Sequence, residues 1–185
     1  MKTITTLVFL LAMSVSFISS SVFSATGGTI SFVGSLTDST CNVKVNGSND
    51  ANATVNLPVI NVSELGILGS TAGRVPFSLG LEDCAAGSKS SGVAKVSAFF
   101  EYGVSVDSNG LLNNIAGAMD KAGNVKLQLL DSKSSPISVG KMVDDKHYVT
   151  WGDPQSLSYS VEYYATGVAT PGSVNSIVVY SLVYK

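Results

Sequence analysis

Short stretches of alternating polar and apolar residues run through this sequence from residue 25 to its end. In the clearest one, residues 156–163, leucine, tyrosine or valine occupies every second position and serine or glutamate stands between them. A period of two is typical of a strand with one buried face and one wet face. Similar stretches at 77–82, 93–102, 125–129 and 174–184 are separated by turn residues, and none has a helical period. We predict one all-β sandwich of roughly seven to nine strands, with a short helical turn at 63–68.

The amino-acid composition excludes some classes of function. The 185 residues include 11 basic and 13 acidic side chains, a net charge of -2, so the chain lacks the basic surface that nucleic-acid binding requires. The hydrophobic share of 45% is enough for a folded core. This length allows one ordinary domain.

The N-terminal segment has the three parts of a secretory signal. Met1-Lys2 is followed by an uncharged apolar stretch at 4–18 and by small residues at 19–25. A membrane anchor would need about 20 continuous apolar residues, whereas serines and threonines interrupt this stretch. We predict a signal peptide at 1–24, cleaved after Ser24, and an exported mature chain.

Two cysteines, Cys41 and Cys84, remain in the predicted mature chain. In an oxidising compartment such a pair normally forms a disulfide, worth roughly 4 kcal/mol for a loop of this length. A metal site is not expected, because there is no CxxC motif and the single histidine, His147, is distant in sequence. No cofactor is expected either.

Both ends of the predicted mature chain are apolar strands. The last strand is apolar on both faces over residues 177–184 and has one residue after it. Folded proteins usually cover such an edge with charge, proline or another element. Two interpretations are open: the first and last strands pair within one closed sandwich, or each takes part in strand addition between molecules.

Several segments resemble the chaperone–usher fimbrial pilins, in particular the type 1 fimbrial major subunit. One is Gly27-Gly28-Thr29-Ile30-x-Phe32-x-Gly34 ahead of Cys41, and others are 77–84, 124–131 and 163–175. Gly172 is fourteenth from the C-terminus counting inclusively and Tyr184 is penultimate, as in that family. The matching segments are spread over the whole mature chain.

The resemblance implies an incomplete immunoglobulin-like sandwich that lacks its final strand, with a pilin domain at 37–185 behind a donor-strand extension at 25–36. The residues it assigns to the donor face are Thr26, Gly28, Ile30, Phe32 and Gly34. The residues it assigns to the acceptor edge are Gly172, Val174, Val178, Tyr180, Leu182 and Tyr184. Gly172 and Tyr184 would belong to the terminal motif that a chaperone recognises.

The implied function is that of a structural subunit of a surface fimbria that supports cell adhesion. Its implied partners are a periplasmic chaperone, an outer-membrane usher and neighbouring pilin subunits, with no nucleic acid. After capture by the chaperone in the periplasm, the chain would polymerise by donor-strand exchange at the usher and form a fimbrium on the bacterial surface. The alternative is a secreted monomeric β-sandwich that acts as an adhesin or carbohydrate-binding module.

Signals for catalysis are weak, and we predict that the chain is not an enzyme. His147 follows Asp144 and Asp145, but no nucleophile motif accompanies it, so we expect a surface residue. Ser138-x-x-Lys141 matches a motif that needs both side chains on one helical face, which a β segment does not provide. Trp151 with Tyr148 could form a sugar-stacking platform, or, as we favour, a hydrophobic anchor beside a loop.

Overall fold

The computed structural model describes residue 31 and residues 41–83, 95–144, 147–150 and 155–185. All of these except residue 31 belong to the second of two compact units, Leu36–Lys185. Some of the predictions therefore lie outside the described residues: the signal peptide at 1–24, the donor face (Thr26, Gly28, Ile30, Phe32 and Gly34), Cys84 and Trp151.

Nine strands and one 3₁₀ turn make up the regular structure of the described residues. The strands are β1 (Asn42–Val45), β2 (Thr71–Glu82), β3 (Lys95–Phe100), β4 (Leu112–Asn113), β5 (Val125–Leu130), β6 (Pro136–Ile137), β7 (Val149–Thr150), β8 (Gln155–Ala165) and β9 (Tyr180–Tyr184). The 3₁₀ turn, Val62–Leu65, falls where a helical turn was predicted. In this part of the chain no helix has the length and hydrophobicity to cross a membrane.

The strands form two antiparallel sheets. The first has the order β1-β2-β8-β5-β4, with β6 also paired to β5, and the second has the order β7-β3-β9. In the first sheet the register places Leu79 opposite Leu157 and Leu129 opposite Val161. Because side chains alternate between faces, this register puts the apolar positions of all three long strands on the same side. The all-β prediction is confirmed.

The main core lies where these apolar positions meet those of β3. Leu79, Leu81 and Leu157 of the first sheet are at most 2% exposed, and Val96 of β3 is 0% exposed. Phe100 and Tyr159 pack edge to face with ring centroids 5.0 Å apart, a favourable geometry for aromatic pairs. Most buried apolar residues of the two sheets form one hydrophobic cluster, while Val125 and Ala165 belong to a second, smaller one.

Side-chain hydrogen bonds stabilise two of the segments between strands, the turn after β1 and the 3₁₀ turn before β2. Asn46, in the Asn46-Gly47 turn after β1, has a φ of 51°, and its Oδ1 accepts the backbone N–H of Ser78 at 2.9 Å. Asn61 caps the 3₁₀ turn: its Oδ1 accepts from Ser63 N at 3.0 Å, while Glu64 Oε1 accepts from Asn61 N at 3.1 Å. This reciprocal pair satisfies backbone donors that the start of a helical turn leaves open.

A candidate strand-acceptor groove

One edge of β9 is unpaired among the described strands. On its other side, β9 pairs with β3, from Val96 opposite Tyr184 to Phe100 opposite Tyr180. Lys95 and Lys185 exchange two backbone hydrogen bonds of 2.9 Å, so they form a hydrogen-bonded pair. Such pairs alternate along an antiparallel ladder. The backbone N–H and C=O groups of Tyr180 and Leu182 therefore point away from β3, toward the open edge.

Residues 174–179 continue this edge without a ladder. Their sequence predicts one strand through to residue 184, but regular pairing begins only at Tyr180. The carbonyl oxygens of Asn175 and Val179 accept backbone N–H groups from Ile115 and Glu101, at 2.7 and 2.8 Å. The carbonyl oxygen of Ile177 accepts the Ser105 hydroxyl instead. The backbone carbonyl groups of the odd-numbered residues thus bond to loops that follow β3. The backbone groups of the even-numbered residues point the other way.

The side chains of the same segment alternate between the core and solvent. Ile177 and Val179 are 57% and 66% exposed. Their even-numbered neighbours are half-buried, and so are the core-facing residues of β9. We call the apolar members of this set, all of which pack against the core cluster, the acceptor row. It consists of Val174, Val178, Tyr180, Leu182 and Tyr184.

The chain around β1 lies opposite the acceptor row. The Tyr180 hydroxyl donates to the carbonyl oxygen of Ala51 at 2.8 Å, and the Tyr184 hydroxyl lies 3.5 Å from Cys41 Sγ. Val55 and Leu57, further along the same stretch, are also half-buried against the core. The edge of the first sheet therefore faces the edge of the second, and we call the space between them the acceptor groove.

Burial affects the groove tyrosines electrostatically. It raises the pKa of Tyr184, and it raises the pKa of Tyr180 with a further contribution from the nearby Asp50 carboxylate. Both phenols therefore remain neutral hydrogen-bond donors at physiological pH. Partial burial of this kind is expected where a hydrophobic core is not fully covered.

Two residues anchor the start of the C-terminal segment. Asn114 is 4% exposed; its Nδ2 donates to the carbonyls of Ala122 and Ser173, and its Oδ1 accepts from Asn175 N at 3.0 Å. A Cβ on Gly172 would lie 2.6 Å from the carbonyl oxygen of Asp120 and would also clash with Ala122 N. The sequence pattern gave no signal for Asn114 and none for the close packing at Gly172, which the family resemblance assigned to recognition by a chaperone.

His147 is not the surface residue that the sequence suggested. Its side chain is 13% exposed, and Nε2 lies 3.1 Å from Asp131 Oδ2. Oδ1 of the same carboxylate accepts the backbone N–H groups of Lys133 and Ser135 at 2.9 and 2.7 Å. This carboxylate is 16 positions away in sequence. The 131–135 turn therefore lies beside the loop before β7, although Nε2 makes no hydrogen bond there.

The remaining candidates for chemistry stay unsupported. Ser138 and Lys141 lie on a turn, with Lys141 N bonded to Ser138 O at 3.2 Å, rather than on one helical face. Tyr148 lies beside the last residue, with Lys185 Nζ 5.9 Å from its ring centre. Across the described ranges, no three histidine, cysteine or acidic side chains are grouped as metal ligands. Cys41 is disulfide-bonded, and its pairing with Cys84 stays a prediction.

An all-β sandwich with one open edge beside a half-buried apolar row defines a class of protein: an immunoglobulin-like pilin fold. A solved chaperone–usher pilus, whose report concerns rod uncoiling, has this fold, with a TM-score of 0.61 at 16% identity. The match covers 86% of this chain and 96% of the pilus chain.

Sequence comparison gives the family. Residues 57–185 match the family model of the type-1 fimbrial protein, A (FimA), and the chain belongs to that family. It is 40% identical over 169 residues to the major fimbrial subunit SMF-1 of Stenotrophomonas maltophilia, covering 87% of this chain and 94% of that protein. It is 35% identical over 172 residues to the F17 fimbrial protein of Escherichia coli, covering 90% and 92%.

Family membership and fold together make this chain a structural pilin of chaperone–usher fimbriae. Pilins of this class polymerise with other pilin subunits, and the relatives indicate a fimbrium at the cell surface. The family is one of structural subunits, which is not an enzyme class.

Proposed function

We propose that this pilin polymerises by donor-strand exchange, accepting a strand of a neighbouring subunit in the acceptor groove. The observation that carries the proposal is the open edge of β9, where the backbone groups of Tyr180 and Leu182 face away from β3. A strand laid along this edge would extend the second sheet and cover the acceptor row. It would supply the strand that an immunoglobulin-like sandwich needs beside its penultimate one.

The proposed donor is residues 25–36 of the next copy, exposed when the signal peptide is cleaved after Ser24. Ile30 and Phe32 would enter the groove, each gaining roughly 1.5–3 kcal/mol on full burial. Gly28 and Gly34 on the same face let the donor main chain approach the groove walls closely. Since the chain would carry both donor and acceptor, it fits a position within the shaft or a linker position.

Before assembly, an open groove needs a temporary occupant. An exposed apolar edge is prone to unwanted pairing, and a periplasmic chaperone that lends a strand to β9 would protect it. Gly172 and Tyr184 would belong to the segment that this chaperone reads. Assembly at an outer-membrane usher would then replace the lent strand, and the fibre would emerge on the bacterial surface and support adhesion.

Adjacent residues of the donor provide a matched test. Phe32→Asp places a charge on the donor face and should abolish fibres while leaving capture by the chaperone intact. Val33→Asp places the same charge on the opposite face and should permit fibres. Both can be measured by electron microscopy of cells and by co-purification with the chaperone. Normal fibres from the Phe32→Asp protein would overturn the donor assignment.

A further inference from the structure

Ser176 is the polar member of an otherwise apolar series in the acceptor groove. It stands between Val174 and Val178, on the core-facing side of the C-terminal segment, and is half-buried like both of them. Its Oγ atom is fully buried, and among the described residues it is one of two buried side-chain polar atoms that make no hydrogen bond. The other, His147 Nε2, lies 3.1 Å from a carboxylate oxygen of Asp131. Of the two atoms, Ser176 Oγ is therefore the one without a charged group beside it.

A buried hydroxyl without a partner is unfavourable, because it has lost its bonds to water and gained none. Most such groups in native proteins are satisfied, so an exception calls for an explanation. Valine or alanine at this position would avoid the free-energy cost of burying an unbonded hydroxyl in the free subunit. The location in the groove, rather than in the closed core, suggests that a partner arrives when the groove is filled.

Resting on the donor-strand proposal, we infer that the Ser176 hydroxyl is a polar recognition point that hydrogen-bonds the main chain of the incoming strand near Gly34. The donor face, at alternate positions 26–34, is as long as the core-facing positions 176–184. Full antiparallel overlap, the direction expected in this fold, places Gly34 opposite Ser176 and Ile30 opposite Tyr180. A glycine there leaves the donor main chain open to the hydroxyl.

Ser176→Ala tests the inference through two effects of opposite sign. In the polymer it removes a hydrogen bond, so heat should release subunits from the SDS-resistant multimers about two- to tenfold faster than in wild type. In the unassembled subunit it removes an unsatisfied hydroxyl, so the unfolding temperature should stay the same or rise. The full-length Phe32→Asp chain, with and without Ser176→Ala, provides the unassembled form for that measurement. Ser158→Ala, at an exposed position of β8, should change neither quantity.

Gly34→Val provides the second half of a double-mutant cycle. The valine side chain should cover the donor main chain and prevent its hydrogen bond to the Ser176 hydroxyl. Adding Ser176→Ala should then have no further effect, so multimers of Gly34→Val and of the double variant Gly34→Val/Ser176→Ala should dissociate at similar rates, a non-additive result. Multimers of Ser176→Ala that dissociate at the wild-type rate or more slowly would overturn the inference. Donor-strand exchange would survive that result as long as Phe32→Asp abolishes fibres and Val33→Asp does not. If Phe32→Asp forms normal fibres, the proposed function itself fails.

Discussion

Close packing at Gly172 joins two distant parts of the chain. Ser173 forms a parallel bridge with Lys121, and its N–H and C=O bond to Asp120 O and Ala122 N at 2.5 and 2.9 Å. These contacts, together with the Asn114 side chain, set where the C-terminal segment enters the groove wall. The glycine is thus needed for folding whether or not a chaperone also reads it.

Gly172→Ala should lower the free energy of unfolding by about 2 kcal/mol, because the added methyl group overlaps backbone that cannot easily move. Urea unfolding of the purified subunit measures this. Gly117→Ala is the matched control, since a Cβ at Gly117 has no atom within 4 Å, and it should be neutral. Equal stability of the two variants would contradict the steric role.

At the scale of the element, β9 and residues 174–179 act as one edge with two distinct faces. Val178 packs against the core, whereas its neighbour Val179 is 66% exposed. The two residues have the same shape and differ only in what covers them. Substitution of each by the near-isosteric threonine therefore isolates the effect of burying a hydroxyl.

Val178→Thr should make multimers dissociate roughly tenfold faster, or ~1.4 kcal/mol, because a filled groove buries the new hydroxyl among apolar side chains. Val179→Thr should leave the rate within about twofold of wild type. Dissociation can be followed as the loss of multimer bands during timed heating in SDS. Equal rates for the two variants would mean that the Val178 side does not face the donor.

Alternation in the sequence predicts strands well where one face is buried, as in β2, β5 and β8. It could not show where a ladder ends, because burial and backbone pairing are separate properties. Residues 174–179 keep the burial pattern of a strand, but β3 ends at Phe100, opposite Tyr180, and leaves them without a regular partner. The loops that follow β3 supply other bonds.

Long-range contacts of polar residues were the main part of the site that the sequence did not predict. Nothing in its local pattern indicates that Asn114 bonds across 59 positions to Ser173, or that His147 meets Asp131. Alternation predicted an apolar strand at the chain end, and the family resemblance assigned the residues of the acceptor row to an acceptor edge. Ser176 was the visible exception in that alternation, but only the structure shows that its hydroxyl is buried and unbonded.

At the largest scale, the described part of the unit Leu36–Lys185 is a sandwich whose core is enclosed on one side and partly exposed on the other. Leu79 and Val96 are fully enclosed, while the acceptor row keeps half-buried side chains beside an open edge. Under the proposed donor-strand exchange, such a subunit would gain apolar burial by polymerising, and no energy source in the subunit would be required. Once formed, such a linkage would persist because it opens slowly.

Electrophoresis without boiling tests the central claim most directly. Assembled wild-type protein should run as a ladder of SDS-resistant multimers that collapses to one band on heating. A chain lacking residues 26–34 should give the monomer band alone, before and after heating, because its groove has no donor to receive. A wild-type sample with only the monomer band, or an unchanged ladder from the shortened chain, would contradict polymerisation by donor-strand exchange.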